Sequence, residues 1–355
     1  MNTKQIYKAM ILKAMVLLSI CLLISGCGAG QVEGRVVPPK PSSTSIPTPT
    51  KTPTPTLLPT STLMPTPHEN GSQIAFSTNR DGNWEIYRMG SDGNDQTRLT
   101  VSWQSQTFSQ NPDGTKTYLS PVPSNLFPKL SPDGQLLLYW SYTEGNPPSS
   151  ILYWLRPDGS TGEFASPVAP YTSFSPDGKT VALNIYTREN NTDIADVATG
   201  GGNGKQLTDN PANDYEPAWS PDGKTIAFVS ERDDTPHIYL MDIDGSNQRR
   251  LTSNDRNELE PAWSPDGKKI AFLSEEGNRH SNIYIVDVDG THIRNLTDTT
   301  DHLNENPAWS PDGTMIAFWS DREGNHEIYS IRLDGSGLTN LTNNPAEDEN
   351  PSWSK

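Results

Sequence analysis

The chain has 355 residues, a formal net charge of −16, 31 prolines, 27 glycines and two cysteines, with 8% aromatic and 20% charged residues. That length leaves room for a large folded unit plus appendages, and two cysteines cannot build a disulfide framework. The strong anionic balance argues against nucleic acid or an anionic lipid surface as a partner.

Residues 1–26 read as a targeting leader. Lys4, Lys8 and Lys13 precede or interrupt an apolar run over 14–24, with no acidic residue and with the small residues Ser25 and Gly26 at its end. The run is the length of a signal-peptide core and short for a bilayer span. It closes as Leu23-Ile24-Ser25-Gly26-Cys27, which resembles the lipobox of bacterial lipoproteins. The resemblance implies that Cys27 is lipidated and becomes the first residue of the mature chain, while Cys21 leaves with the leader. Loss of the three lysines takes the formal charge from −16 to −19. Two or more acyl chains would hold the protein on its membrane, each buried methylene contributing roughly 0.8 kcal/mol.

Residues 27–67 follow as the lipidated cysteine and a proline- and threonine-rich segment, "PTPTKTPTPTLLPTSTLMPTP" at its densest. Fixed φ at each proline and few bulky apolar side chains favour extended polyproline II. The thirty residues from Pro38 to Pro67, at about 3.1 Å each, reach roughly 90 Å. The segment is expected to act as a stalk.

From residue 68 the chain becomes periodic. "EPAWSPDGKTIAFVS", "EPAWSPDGKKIAFLS" and "NPAWSPDGTMIAFWS" recur, and the turn serine falls at Ser131, Ser175, Ser220, Ser264 and Ser310. The steps are 44, 45, 44 and 46 residues, and Ser354 lies 44 further on. Self-similarity at this spacing indicates stacked sheet units. In the unit around Ser220, four short strands are expected at residues 217–220, 224–230, 237–242 and 249–252, separated by Ser-Pro-Asp-Gly and Asp-Gly turns. Alternation places Ile226 and Phe228 on one face and Ala227 and Val229 on the other. Both faces are apolar, so each sheet needs a neighbour on both sides.

The count is six blades, the first split between residues 73–100 and 351–354. Pairing the C-terminal strand with that first blade removes the open edges. The fold class is therefore all-β: a six-bladed β-propeller of four-stranded antiparallel blades over residues 68–355. Residues 101–130, with a stray Asn111-Pro-Asp-Gly114, read as an inserted hairpin or loop. Blades 2 and 3 are degenerate, with Leu130 and Phe174 in the tryptophan position.

These motifs (Pro-x-Trp-Ser-Pro-Asp-Gly-x-x-Ile-Ala-Phe, then Ile-Tyr, Asp-Gly and Leu-Thr) resemble the WD40-like β-propeller repeats of TolB-type proteins, over residues 73–354. The resemblance implies a periplasmic or extracellular envelope protein. It departs from TolB-type proteins in lacking their N-terminal α/β domain. Related propellers precede the hydrolase domain of prolyl-oligopeptidase-type enzymes, but no Gly-x-Ser-x-Gly elbow occurs here.

Chain direction sorts the connections onto two faces, with the tight turns on one and the longer, variable links on the other, where function is expected. The inter-blade links bring oxygen-bearing side chains into register: Asp214, Glu258, Asn304 and Asp348, then Glu216, Glu260, Asn306 and Asn350, with Glu305 and Glu349. Such a channel-mouth rim could hold Ca²⁺, a cationic peptide or a sugar, or merely cap loop amides. Asp242–Gly245 and Asp287–Gly290 match the first half of a calcium loop but lack its distal glutamate, so they read as hairpin turns. His237, His280, His292, His302 and His326 stand singly and are expected in solvent. Trp219, Trp263, Trp309 and Trp353 are expected to pack between blades. The resulting expectation is a monomeric, non-catalytic binding or scaffold module for an envelope protein, peptide or glycan. The alternative is a propeller enzyme, a metal-assisted lyase or lactonase-type hydrolase, with its site at the channel mouth.

Overall fold

The Ser-Pro-Asp-Gly turn that sets the repeat is held by its own side chains. In blade 4, Ser220 Oγ donates to Asp222 Oδ1 at 2.6 Å, and the backbone N–H groups of Lys224 and Thr225 return to Asp222 and Ser220 at 3.1 and 3.0 Å. The aspartate carboxyl is accordingly held below the usual carboxylate range, by the serine hydroxyl first and the Lys224 N–H second. Gly223 takes φ 71°, a region costly for any residue with a Cβ. The Pro of one turn abuts the Gly of the next: a Cβ on Gly267 would sit 3.3 Å from Pro221 Cγ.

The computed structural model describes residues 72–101, 108–110, 116–118, 123–143, 149–165, 168–187, 191–201, 204–277 and 280–354. The leader, Cys27 and the Thr-Pro stalk lie outside the described residues. Within them the chain forms six four-stranded antiparallel sheets and one two-stranded ribbon, with no helix. Blade 4, for example, consists of Asp214–Trp219, Thr225–Ser230, His237–Asp242 and Arg249–Arg250.

Its innermost strand begins three residues earlier than the sequence suggests. Pro217 reads as a start because it cannot donate to a ladder. A β-bulge between Tyr215 and Ala218 removes that demand, and Asp214 and Tyr215 pair with Ser230 and Val229 beyond it. The outermost strand is shorter than expected, two residues long.

Ring closure follows the split-blade reading. Gln73–Thr78 pairs with Asp348–Ser354 through Ile74↔Trp353, Ala75↔Ser352 and Thr78↔Asp348. The sheet order of blade 1 is thus the C-terminal strand followed by the first three strands of the propeller.

Both faces of each blade are buried. Ile226 and Phe228 join Ala182 and Ile194 of blade 3, whereas Ala227 and Val229 join Ile270 and Phe272 of blade 5. The phenylalanines at this position, Phe76, Phe228, Phe272 and Phe318, are all 0% exposed, each contributing roughly 1.5–3 kcal/mol by leaving water. Phe174 fills the tryptophan position of blade 3 as a core residue, and Leu130, in that of blade 2, is half-buried and packs against the adjoining core.

The insertion is shorter than residues 101–130, because Ser124–Leu130 is already the innermost strand of blade 2. It carries the two-stranded ribbon Phe108–Gln110 and Lys116–Tyr118, and the Asn-Pro-Asp-Gly stretch between them lies outside the described residues.

Candidate functional site: the central channel and the long-link face

The bulges shape the channel. Glu216, Glu260, Asn306 and Asn350 occupy the same place in blades 4, 5, 6 and 1, each followed by proline and each with φ between 55° and 58°. This left-handed φ falls inside each blade's innermost strand, at the bulge. Glu260 N–H donates to Glu216 Oε2 at 2.6 Å, Asn306 N–H donates to Glu260 Oε2 at 2.6 Å, and Asn350 Nδ2 donates to Asn306 Oδ1 at 2.9 Å. Glu216 N–H in turn donates to Asn184 Oδ1 of blade 3 at 3.1 Å. Side chains that the sequence assigns to a rim therefore link blade to blade around the channel.

Lys129 enters the same space from blade 2, where blades 4 and 5 carry Ala218 and Ala262. Burial pushes its ammonium below the ordinary lysine range, while the charges of Glu260 and Glu216 pull the other way. Sequence reasoning missed this residue. The available signal was its position, a lysine two residues before the turn serine where other repeats have alanine or serine.

The cavity lined by Lys129, Glu216, Glu260, Asn306, Asn350 and the strand prolines measures ≈ 70 Å³. A water molecule needs about 10–15 Å³ by this measure, whereas small-molecule sites begin near about 300 Å³. The channel interior suits a few waters and has no room for a sugar ring or a peptide. Thr172 Oγ1 and Asn350 Oδ1, both buried without a protein partner, line it.

The second register of predicted residues lies deeper. Asp214, Glu258, Asn304 and Asp348 are all 0% exposed. Arg232 Nη2 donates to Asp214 at 3.1 Å, Arg80 Nη2 to Asp348 at 3.0 Å, and Arg322 Nη2 to Asn304 Oδ1 at 2.6 Å. Each guanidinium also lies over the blade's Phe and Tyr rings, 4.7 Å from the centroids of Tyr239, Tyr87 and Tyr329. In blade 5 Glu276 takes the arginine's position, and Glu258 is held instead by Thr252, Asn254 and His237. Burial pushes the carboxyls of Asp214 and Glu258 up, against these donors.

Glu305 and Glu349 are 2% and 1% exposed. His326 Nδ1 lies 2.6 Å from Glu349 Oε1 and 3.5 Å from Glu347, its ring stacked on Trp319 at 4.2 Å. Burial opposes the imidazolium, but the hydrogen bond and charge of Glu349, with Glu347 and Glu305 beyond it, hold His326 above its ordinary range. Burial pushes Glu349 up. Two of the five repeat-region histidines thus depart from the expectation of solvent: His326 and His237 are built into blade seams, the latter 2% exposed.

The two Asp-x-Asp-Gly segments are hairpin turns. Asp244 Oδ1 accepts from the backbone N–H and hydroxyl of Ser246 at 2.9 and 2.5 Å, and Asp289 does the same with Thr291 at 2.9 and 2.6 Å. Among the described residues no group of three or more His, Cys, Asp or Glu side chains is arranged to hold a metal ion. The tryptophans pack at blade seams, with Trp263 Nε1 donating to Ala218 O and Trp309 Nε1 to Ala262 O, each at 3.0 Å.

Because Arg80, Arg232 and Arg322 turn inward, the outer surface of the long links is acidic. Asp81, Asp209, Asp233, Asp234, Asp255, Asp298, Asp301 and Glu323 are exposed there, against Arg256 alone among the described residues. This face can attract a cationic partner over distances of about a Debye length, near 8 Å at physiological salt.

Comparison with known proteins agrees with this architecture. A "Protein TolB homolog" from Chlorobium luteolum is 33% identical over 174 residues, which are 49% of this chain and 35% of the relative. The chain thus spans about a third of that relative's length. The crystal structure of TolB from Acinetobacter baumannii superposes with a TM-score of 0.66 at 24% identity, covering 80% of this chain and 67% of that one. A putative TolB from Agrobacterium tumefaciens gives 0.58 at 24% identity, covering 77% and 89%. The family model described as the TolB beta propeller domain matches residues 120–355. The chain belongs to the TolB β-propeller domain family.

Proposed function

We propose that this protein is a non-catalytic binding module of a bacterial envelope, which captures a basic segment of an envelope protein on its long-link face. In this reading Cys27 carries the lipid, residues 27–67 are the stalk, and the propeller faces the periplasm or the exterior as a monomer. The observation that carries the proposal is the division of charge among the described residues: Arg80, Arg232 and Arg322 are drawn inside over aromatic rings, leaving eight exposed carboxylates, of which Asp81 and Asp233 pair with the half-buried Arg98 and Arg250, and one exposed arginine. The ≈ 70 Å³ channel interior favours recognition on the surface of the propeller. Membership of the TolB family supports an envelope setting.

The test uses an oligolysine peptide as the probe and the full chain. Binding is expected to weaken as salt rises, since exposed charges carry it, and to fall at least tenfold in Asp233→Lys/Asp234→Lys. Affinity unchanged by both salt and charge reversal would remove the proposal. In membrane fractions Cys27→Ser is expected to move the protein to the soluble fraction.

A further inference from the structure

We propose that the seam between blades 4 and 5, on the tight-turn face away from the long links, is a binding groove for a neutral or amino sugar. The groove measures ≈ 440 Å³ and is lined by Thr225, Leu240, Arg249, Trp263, Asp222 and Asp266 among others. That volume falls within the roughly 300–1,000 Å³ usual for small-molecule sites.

The repeat supplies its own controls, because each lining position has a counterpart at other seams. Between blades 5 and 6, Lys269 stands in place of Thr225 and reaches across to an ion pair with Asp287. There the tryptophan, Trp309, is 7% exposed and buried, whereas Trp263 remains part-exposed. Between blades 3 and 4, Asp196 and Lys205 replace Leu240 and Arg249, as their strand pairing shows. Between blades 6 and 1 the counterparts are Met315, Ser330 and Thr339. Among the described residues, only the seam between blades 4 and 5 combines a short residue at the mouth, an apolar floor, an indole and a guanidinium.

The chemistry of the walls selects the ligand. Leu240 is 3% exposed and forms floor; Trp263 is fixed by its bond to Ala218 O. A pyranose offers what this surface complements, an apolar face and an edge of hydroxyls. Arg249 uses one N–H on Val288 O at 3.1 Å, which fixes the guanidinium beside the groove. Asp222 and Asp266 accept their turn hydrogen bonds at Oδ1, and Lys268 Nζ lies 4.0 Å from Asp266 Oδ2. Serine and backbone donors keep both carboxylates ionised. Lys224 and Lys268 flank the two turns but do not line the groove; among its lining side chains two carboxylates stand against one guanidinium, which favours an ammonium or hydroxyl over an acidic sugar.

The experiment is titration of the full chain with glucosamine, methyl β-glucoside and glucuronate by saturation-transfer NMR. Saturable binding is expected for glucosamine, several-fold weaker for methyl β-glucoside and absent for glucuronate. Thr225→Lys recreates the arrangement of blade 5, so it is expected to keep the melting temperature of the parent while losing glucosamine binding at least tenfold; Trp263→Ala is expected to lose it equally. Asp233→Lys/Asp234→Lys, on the opposite face, is expected to leave it intact, which separates this site from the oligolysine surface. The proposal is overturned if folded protein gives no saturable glucosamine signal. It is also overturned if binding survives in both variants, or if methylammonium competes as well as glucosamine, since then the sugar ring contributes nothing.

Discussion

Glu216 and Glu260 each carry out a structural task that a rim residue need not have: one carboxylate oxygen accepts the backbone N–H of the following blade, within the bulge that bends the strand. Replacing Glu216 by alanine would leave the half-buried Glu260 N–H without its acceptor, costing about 1–3 kcal/mol, whereas glutamine keeps an acceptor oxygen and is expected to cost less than half as much. Chemical denaturation of the two variants checks this, and equal losses would show that the charge, not the hydrogen bond, matters. His326 makes the pH dependence specific. Its folded-state pKa lies above the unfolded value, so its stabilising effect is fully present below about 6.5 and is lost as pH rises through the folded value. Glu349, also raised, acts in the same direction from lower pH. Thermal melts are therefore expected to fall between weakly acid and mildly alkaline pH, and His326→Gln to flatten the upper part of that decline. A parallel decline in the variant would count against the assignment. The partners of His326 could not be read from sequence, because Glu349 and Trp319 reach it from a strand 23 residues on and from the preceding strand of its own blade.

At the scale of the strand, legibility depended on whether a signal was local. Turn positions, the alternation of Ile226 to Val229 and the tryptophan register were all legible, since Pro-Asp-Gly chemistry and period-2 alternation act within a few residues. The bulge at Glu216 was hidden because proline ordinarily marks the end of pairing, and only the register across two strands shows the ladder resuming at Asp214. The arginine clamps were hidden for a related reason. Arg232 and Asp214 are 18 residues apart, on opposite ends of a hairpin, and nothing local distinguishes a paired aspartate from a solvated one. The rim residues were thus legible as a register and illegible as a burial pattern: the same periodicity that aligned them also carried each into a blade seam. Lys129 shows the converse, a departure from the repeat that sequence comparison within the chain exposes once the channel is known.

The propeller combines a closed ring, a narrow channel and two unlike faces. Long links bear exposed carboxylates, and tight turns stack proline on glycine from blade to blade, with a groove at the seam of blades 4 and 5. All of this requires that the last strand complete the first blade, since without it Gln73–Thr78 would be an unpaired edge and the seam beside blade 6 would open. The most direct test is hydrogen exchange in the intact chain and in one ending at Glu347. The amides of Gln73–Thr78 are expected to be strongly protected in the intact chain and to exchange rapidly in the shortened one, while Thr225–Ser230 in blade 4 retains more protection. Equal protection of Gln73–Thr78 in both chains would contradict ring closure by the C-terminal strand.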